Sequence, residues 1–315
     1  MQHRRGIILM IVLWILLLTG FIALGLGRVG GGEMSLLKIS LGRCRAYAAA
    51  RSGIEIAEQR LIRFPPASEV VMPQTEDTRK AYAAVPVGAG AHFDVGFKTV
   101  TLNGPALNMT WGPVDEAGRF NINMIDGSGV EAETLKALVE SVAPGAGEGF
   151  VRGVLAFRSG PERRGVTRPF YVLEELLFVE GVGPKLFQQL RDMLTVYPYI
   201  KRSAFRVNIF AASPLLAKAV FRAGAALAGV DAGTAVRDVE DFLKCRTRSA
   251  GAIGECALPT YLCVLSQLDP VSGRMYRIRS TGVDEASKVK VAIEEVVDIA
   301  GDGSKVSERI YWRRD

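Results

Sequence analysis

Few residues of this chain have the chemistry of a catalytic centre. Its 315 residues include only two histidines, His3 and His92, which is a poor basis for a histidine-dependent catalytic triad or zinc site. The four cysteines lack the paired C-x-x-C spacing of structural zinc sites. We therefore expect a protein that is not an enzyme.

The cysteines indicate a covalent cross-link instead. They are Cys44, Cys245, Cys256 and Cys263. In an oxidising compartment, two of the last three could form a disulfide that closes a loop, and we favour Cys245–Cys256. Free buried thiols are the alternative.

Two groups of carboxylates could supply the oxygen ligands that calcium prefers. One is the segment 126–133, Asp-Gly-Ser-Gly-Val-Glu-Ala-Glu, and the other is Asp231, Asp238, Glu240 and Asp241. The first lacks the alternating acidic positions and the glutamate at position twelve of an EF-hand loop. Helix capping by Asp126 or Ser128 is the simpler interpretation, so we assign no metal ligands.

A glycine-rich segment, 179–186 (Val-Glu-Gly-Val-Gly-Pro-Lys-Leu), has the pattern of a helix-hairpin-helix turn. Such turns can present backbone N–H groups to DNA phosphates. Here Lys185 is its only cation, and glutamates 174, 175 and 180 oppose phosphate. The net charge of +6 is spread along the chain without a long basic stripe. We interpret the glycines as a tight turn between packed helices, and a membrane-anchored DNA-binding protein is the alternative function.

The N-terminus contains the longest apolar run of the sequence. Residues 7–26 carry no charge, and twenty helical residues span roughly 30 Å, the hydrocarbon thickness of a bilayer. Arg4 and Arg5 precede the run and favour a cytoplasmic N-terminus. A secretory signal cleaved after Ala23-Leu24-Gly25 and a plain anchor are alternatives.

The apolar run leads into a second helical segment. Gly30–Gly32 predict a soft joint, because glycine costs about 1 kcal/mol relative to alanine in a helix. From Glu33 to Arg63 the spacing is helical, and Tyr47, Ala50, Ile54, Ala57 and Leu61 form one apolar stripe. We expect this stripe to pack on a sheet, with charged residues 51, 55, 58 and 60 on the opposite side.

The rest of the chain alternates between strand and helix patterns. Period-two spacing begins at His92 and continues through short extended segments to Ile125. Helical spacing follows over 131–143, 172–179, 184–194, 213–228 and 234–246, and strand patterns return from Leu258. We predict one β-rich unit interrupted by a helical insertion; three domains in series are the alternative, which isolated short sheets disfavour.

The junction Arg4-Arg5-Gly6, directly followed by Ile7, resembles a type IV prepilin leader. The resemblance implies cleavage between Gly6 and Ile7 and N-methylation of Ile7. Cleavage on the cytoplasmic side would leave the apolar helix in the membrane.

Further segments resemble a minor pseudopilin of the type II secretion system, the K component (general secretion pathway protein K). They are Arg5–Trp14, Ala48–Leu61, Gly118–Asn123, Glu174–Gly183, Arg206–Ser213, Tyr276–Arg279 and Ile310–Arg313. The resemblance implies an α+β, pilin-like fold: a long N-terminal helix on an antiparallel sheet, with a large inserted all-α domain containing helix-hairpin-helix/SAM-like motifs. The implied divisions are a leader (1–6), the N-terminal helix (7–63), the first part of the β domain (64–125), the inserted domain (126–257) and the closing strands (258–315).

The same resemblance implies a location and partners. The chain would be a single-pass inner-membrane protein with a periplasmic body, at the tip of a pseudopilus that it caps or primes for protein export. Its partners would be the I and J minor pseudopilins, the major pseudopilin, the prepilin peptidase and the inner-membrane assembly platform, and no nucleic acid is expected. Ile11 occupies the position where most pilin-like subunits have a glutamate. Relatives can bind calcium in the inserted domain, so a structural calcium there is a candidate cofactor.

Overall fold

The computed structural model has an α+β fold of helices and antiparallel strands. It describes residues 3–63, 76–100, 107–125, 127, 129–159, 168–197, 207–248, 256–263, 275–299 and 306–314.

The first element is a single long helix, α1 (His3–Arg63), of 61 residues. The prediction of a soft joint at Gly30–Gly32 is wrong, because α1 continues through these residues as a helix. Glycine lowers helix propensity but keeps its backbone N–H, so it does not remove a hydrogen bond as proline does. Within the described residues, no helix combines the length and apolarity needed to cross a bilayer.

An antiparallel sheet forms the second layer. Its strands are β1 (Val85–Gly88), β2 (Ala91–Val100), β3 (Leu107–Trp111), β4 (Val114–Asp115), β7 (Met275–Asp284), β8 (Lys290–Ile299) and β9 (Val306–Arg314). The order is β1-β2-β7-β8-β9, with β3 paired to β2 and β4 to β7. Strands from both ends of the chain therefore share one sheet, as expected for a single β-rich unit. A short helix, α2 (Glu76–Tyr82), precedes β1 and was not predicted.

The C-terminal half of α1 packs on this sheet through its predicted stripe. Ala50, Ile54 and Ala57 are fully buried, together with Phe93 of β2 and Ile278 of β7. This core explains why the helix lies across the sheet.

The approach between α1 and the sheet is close. A Cβ atom at Gly282 of β7 would collide with the carbonyl oxygen of Ala46, and one at Gly53 would collide with Phe93 and Ser280. The charged side of α1 is only partly as predicted. Glu58 is 5% exposed, and Arg51 reaches the sheet, where its Nη1 lies 3.1 Å from Oε2 of buried Glu295.

A helical unit occupies the chain between β4 and β7. Its helices are α3 (Val130–Val142), α4 (Gly147–Ser159), α5 (Pro184–Leu190), α6 (Pro214–Leu227), α7 (Ala232–Arg248) and α8 (Thr260–Cys263), with a 3-10 helix at Leu173–Phe178. Helix α4 was not predicted from the sequence, and two glycines in its first turn explain why. A two-stranded parallel pair, β5 (Phe120–Asn121) and β6 (Leu194–Thr195), connects the start of the unit to the segment after α5.

The hydrophobic core shifts both predicted limits of this unit. Phe120, Ile122 and Ile125 belong to the helical core, although extended sheet structure was expected up to residue 125. Residues 122–124 form a 3-10 helix instead. Near Leu258 a strand was expected, but α8 forms and buries Leu262 in the same core. In both places a buried apolar run fits a helical core as well as a sheet, so periodicity could not distinguish them.

The sheet separates α1 from the helical unit. Along β8, Ile293 and Val297 pack toward α1, whereas Val296 belongs to the core of the helical unit. Alternate residues of a strand point to opposite faces, so the two cores lie on the two faces of the sheet.

Candidate functional site

Among the described residues, most of the large exposed apolar side chains lie on the N-terminal part of α1. Large side chains from Met10 to Leu24 and from Met34 to Leu41 are about half to two-thirds exposed, including Trp14 at 68% and Met34 at 71%. No described strand lies beneath this stretch, because the packed part of α1 begins near Gly42. Contiguous apolar surface of this kind is typical of an interaction site.

The processing and assembly residues predicted from the sequence lie on the same helix. Gly6 and Ile7 fall within α1, but their side chains lie outside the described set. Cleavage between them stays a prediction. Ile11 is 54% exposed and continues the apolar surface without adding a charge.

Asn123 and Asn208, which lie in the segments Gly118–Asn123 and Arg206–Ser213, have structural roles. The side-chain amide of Asn123 donates to the carbonyls of Phe170 (3.0 Å) and Val196 (2.8 Å), and its oxygen accepts from the Phe170 N–H (2.7 Å). Asn208 donates to the Asp115 carboxylate (2.8 Å), and its oxygen accepts from the Phe210 N–H (3.1 Å). Each asparagine thereby satisfies loop backbone that burial would otherwise leave unpaired.

A buried ion network joins the helical unit to the sheet. Glu116 is 1% exposed and contacts Arg277 of β7 through two hydrogen bonds, with Nε at 2.8 Å and Nη2 at 2.5 Å. Thr195 of β6 donates a further hydrogen bond of 2.6 Å to Glu116. Arg277 also pairs with Glu294 of β8 (2.6 Å), which lies 3.4 Å from Arg279.

The network strongly favours the charged form of Glu116. Burial alone would raise the pKa of Glu116, but the charges of Arg277 and Arg119 and the hydrogen bonds from Arg277 and Thr195 outweigh it and hold the pKa at about 2. Burial lowers the pKa of Arg277, but Glu116 and Glu294 reverse this effect and raise it. The pair is therefore ionised at neutral pH.

Beside this network lies a cleft of about 670 Å³ between the sheet and the helical unit. Its floor carries Arg119, Arg277, Arg279 and Glu294, and α5 contributes Phe187 to its wall. The volume is in the range of small-ligand sites.

The predicted hairpin is a tight turn. Gly181 has φ +84°, a left-handed conformation that favours glycine, and Pro184 begins α5. Lys185 is exposed. Glu175 forms an ion pair with Arg168. Within the described residues, the fold brings no further cation to the 179–186 turn that could bind a DNA phosphate.

Three of the carboxylates considered for calcium have other partners. Asp231 caps α7 by accepting from the Thr234 N–H (3.0 Å), and hydrogen bonds from the Thr234 side chain and backbone lower its pKa. Asp238 accepts from the Tyr261 hydroxyl (3.0 Å), and Asp241 lies 3.3 Å from Lys244. Asp126 and Ser128 lie outside the described residues, and no group of three metal-ligating side chains occurs in the described part of the chain.

The structure joins Cys245 of α7 to Cys256 by a disulfide, with their Cα atoms 5.8 Å apart. Cys44 is a free, exposed thiol on α1. The disulfide connects the end of α7 to the segment that leads into α8.

Sequence reasoning missed the ion network. The sequence assigned no role to Glu116, and it placed Arg277 and Arg279 only within the segment Tyr276–Arg279 of the closing strands. The available signal was the pair of arginines at alternate positions of a predicted strand, since charges on one face of a largely buried strand need partners.

The fold class is thus a long N-terminal helix on an antiparallel sheet, with a helical unit on the other face. No protein-family profile and no curated protein sequence matches the chain. Among solved structures, it is similar to a chain of the crystal structure of the GspK-GspI-GspJ complex from the type 2 secretion system of enterotoxigenic Escherichia coli, with 12% identity and a TM-score of 0.54. The match covers 89% of this chain and 99% of that chain, so the likeness extends over almost the whole fold.

Proposed function

We propose that this chain is a minor pseudopilin of the K type, a non-enzymatic subunit of a type II secretion pseudopilus. The observation that carries the proposal is the exposed apolar part of α1, which extends beyond the folded body on the same helix that packs on the sheet. The fold shared with a chain of the GspK-GspI-GspJ complex supports it.

In this proposal α1 has two tasks. Its C-terminal half holds the sheet, and its N-terminal half packs beside equivalent helices of the I and J minor pseudopilins and the major pseudopilin. Membrane insertion of residues 7–26, with a cytoplasmic N-terminus and a periplasmic body, rests on the uncharged sequence run alone. The prepilin peptidase would cut after Gly6 before the assembly platform receives the subunit.

A tip position follows from two features of the proposal. Ile11 offers no carboxylate to the N-terminal amine of a preceding subunit, and a charge there would be costly in lipid. The helical unit adds bulk on one face of the sheet, where it would obstruct a further subunit. Both features suit a subunit that caps or primes the filament.

The first test compares two leucines of similar exposure. Leu17 on α1 is 51% exposed and Leu227 at the end of α6 is 54% exposed. Leu17→Lys places a charge in the proposed packing surface, so we expect loss of membrane sedimentation and of co-purification with the I and J components of the same organism. Leu227→Lys should leave both unchanged. Equal behaviour of the two variants would contradict the assignment of this surface.

A second measurement addresses processing. Gly6→Ala should prevent removal of the leader, whereas the wild-type chain should begin at a methylated Ile7 when its N-terminus is determined by mass spectrometry. A wild-type chain that starts after Gly25 would instead identify a secretory signal.

A further inference from the structure

Arg119 has an unusual environment at the floor of the cleft. Its side chain is 11% exposed, and its nearest ion-pair partner in the described residues is Glu116, with Nε 3.8 Å from Oε2. That distance is too long for a hydrogen bond. The guanidinium, with its five N–H donors, is therefore nearly buried without a close acceptor among the described residues.

The neighbouring carboxylates are already used by other arginines. Arg277 holds both oxygens of Glu116 and one oxygen of Glu294, and the second oxygen of Glu294 faces Arg279. Of the three arginines, Arg119 lies farthest from these two carboxylates, since the other two approach them to 3.4 Å or less.

The electrostatics agree with this distribution. Burial and the charge of Arg277 lower the pKa of Arg119, although the charges of Glu116, Asp192 and Glu294 oppose the shift. A buried cation next to another cation gains stability when an anion approaches it.

The rim of the cleft carries further charges of both signs. Arg191 lies 3.8 Å from its neighbour Asp192, and Asp94 accepts a hydrogen bond from the Ala84 N–H (2.7 Å). Lys290 and Glu174 complete the charged rim. These groups face solvent or have other partners, so none of them supplies a hydrogen bond to Arg119.

We infer that this cleft binds a single carboxylate group, with Arg119 as its main ligand. A planar guanidinium fork matches a carboxylate better than a spherical anion such as chloride. The cleft is much larger than one carboxylate, so the group belongs either to a small organic acid or to an acidic residue of a peptide segment that occupies the remaining space.

The test uses the full chain in detergent micelles. Thermal unfolding is followed in sodium acetate and in sodium chloride at equal ionic strength, and then with the peptide acetyl-Gly-Glu-Gly-amide and its glutamine counterpart. Acetate and the glutamate peptide should raise the Tm more than chloride and the glutamine peptide. A higher affinity for the glutamate peptide than for acetate would identify a peptide segment as the source, and equal affinities would identify a small acid.

Two variants and a control make the test specific. Arg119→Gln should abolish the difference between acetate and chloride, and Arg119→Lys should weaken acetate binding by about tenfold. Arg237→Gln, on the exposed face of α7, should behave as wild type. Without acetate, Arg119→Gln should unfold at a temperature equal to or higher than wild type, because it removes an underpaired buried cation.

Two results would overturn the inference. One is an equal effect of acetate and chloride on the wild type. The other is an acetate effect that persists unchanged in folded Arg119→Gln, since the anion would then bind elsewhere. If Arg119→Gln fails to fold, acetate and chloride are compared in Arg119→Lys instead. If that variant binds acetate as tightly as the wild type does, the guanidinium of Arg119 is not the ligand.

Discussion

At the scale of single residues, a few buried polar side chains fix the loops that separate the elements. Asn123 ties its own loop to the segments at Phe170 and Val196 through three hydrogen bonds. Asn208 does the same for Asp115 and the turn at Phe210. A buried hydrogen bond contributes modestly when made, but leaving its partners unpaired costs about 1–3 kcal/mol for each group.

The orientation of the Asn123 amide leads to a prediction. Asn123→Asp replaces a donor that faces two carbonyl oxygens by an acceptor, so we expect a loss of about 3 kcal/mol or more in the free energy of unfolding. Gln189→Glu makes the same chemical change on an exposed position of α5 and should cost less than about 0.5 kcal/mol. Urea denaturation of both variants measures the difference, and similar midpoints would contradict the role given to Asn123.

The Glu116 network predicts how stability depends on pH. Because the pKa of Glu116 is about 2 in the folded protein against an ordinary value of 4.5, its contribution is complete above pH 4.5. It is lost as the pH falls from about 4.5 to about 2. Glu116→Gln should cost about 3–5 kcal/mol at pH 7, because it leaves a buried arginine less well paired.

The pH profile provides the check on that assignment. Stability measured between pH 7 and pH 2.5 should fall less steeply in Glu116→Gln than in the wild type. Glu148→Gln, which removes an exposed carboxylate, is the matched control and should follow the wild-type profile. A variant slope equal to the wild-type slope would show that other carboxylates dominate acid unfolding.

At the scale of secondary-structure elements, close backbone approach determines how α1 sits on the sheet. Small residues line the contact, so the helix lies near the strands at Gly53 and Gly282. This geometry buries a polar connection as well, between Arg51 and Glu295. The same face of the helix is thus held on the sheet by close packing and by an ion pair.

The close approach of α1 to the sheet can be tested at Gly282. Gly282→Val should destabilise the protein by about 1–3 kcal/mol or more, because its side chain would collide with the backbone of α1. Gly90→Val provides a comparison without a collision, although its positive φ of 73° carries its own strain. If Gly282→Val proves the milder of the two, α1 does not lie against β7 as described.

Much of the element pattern could be predicted from the sequence, and the failures have physical causes. The apolar stripe of α1 and the alternation in β2 were readable because, in each, a buried apolar face stands opposite a more exposed polar one. The glycine-rich first turn of α4 and the short apolar run of α8 carry no such contrast. The Glu116–Arg277 pair could not be predicted, because it joins residues that are 161 positions apart and only the folded sheet brings them together.

At the scale of the whole molecule, two cores share one sheet. Adjacent residues of β8 serve different cores, with Val296 on the helical side and Val297 on the side of α1. The ion network bridges the same boundary. The helical unit and the sheet should therefore gain stability from each other.

This coupling predicts a shared unfolding transition. Leu135→Ala creates a cavity in the core of the helical unit. It should lower the hydrogen-exchange protection of the backbone amides of β7 as well as those of α6. In a Glu116→Gln background the effect on β7 should diminish, because the bridge is weakened. Unchanged protection of β7 in the single variant would show that the two cores unfold independently.

The unbroken course of α1 has a mechanical consequence. A 61-residue helix measures about 90 Å from end to end, and its C-terminal part is fixed to the sheet by the close approach at Gly53 and Gly282. A push or pull along its axis at the N-terminal end would thus be transmitted to the body over the full distance, and not absorbed by a hinge.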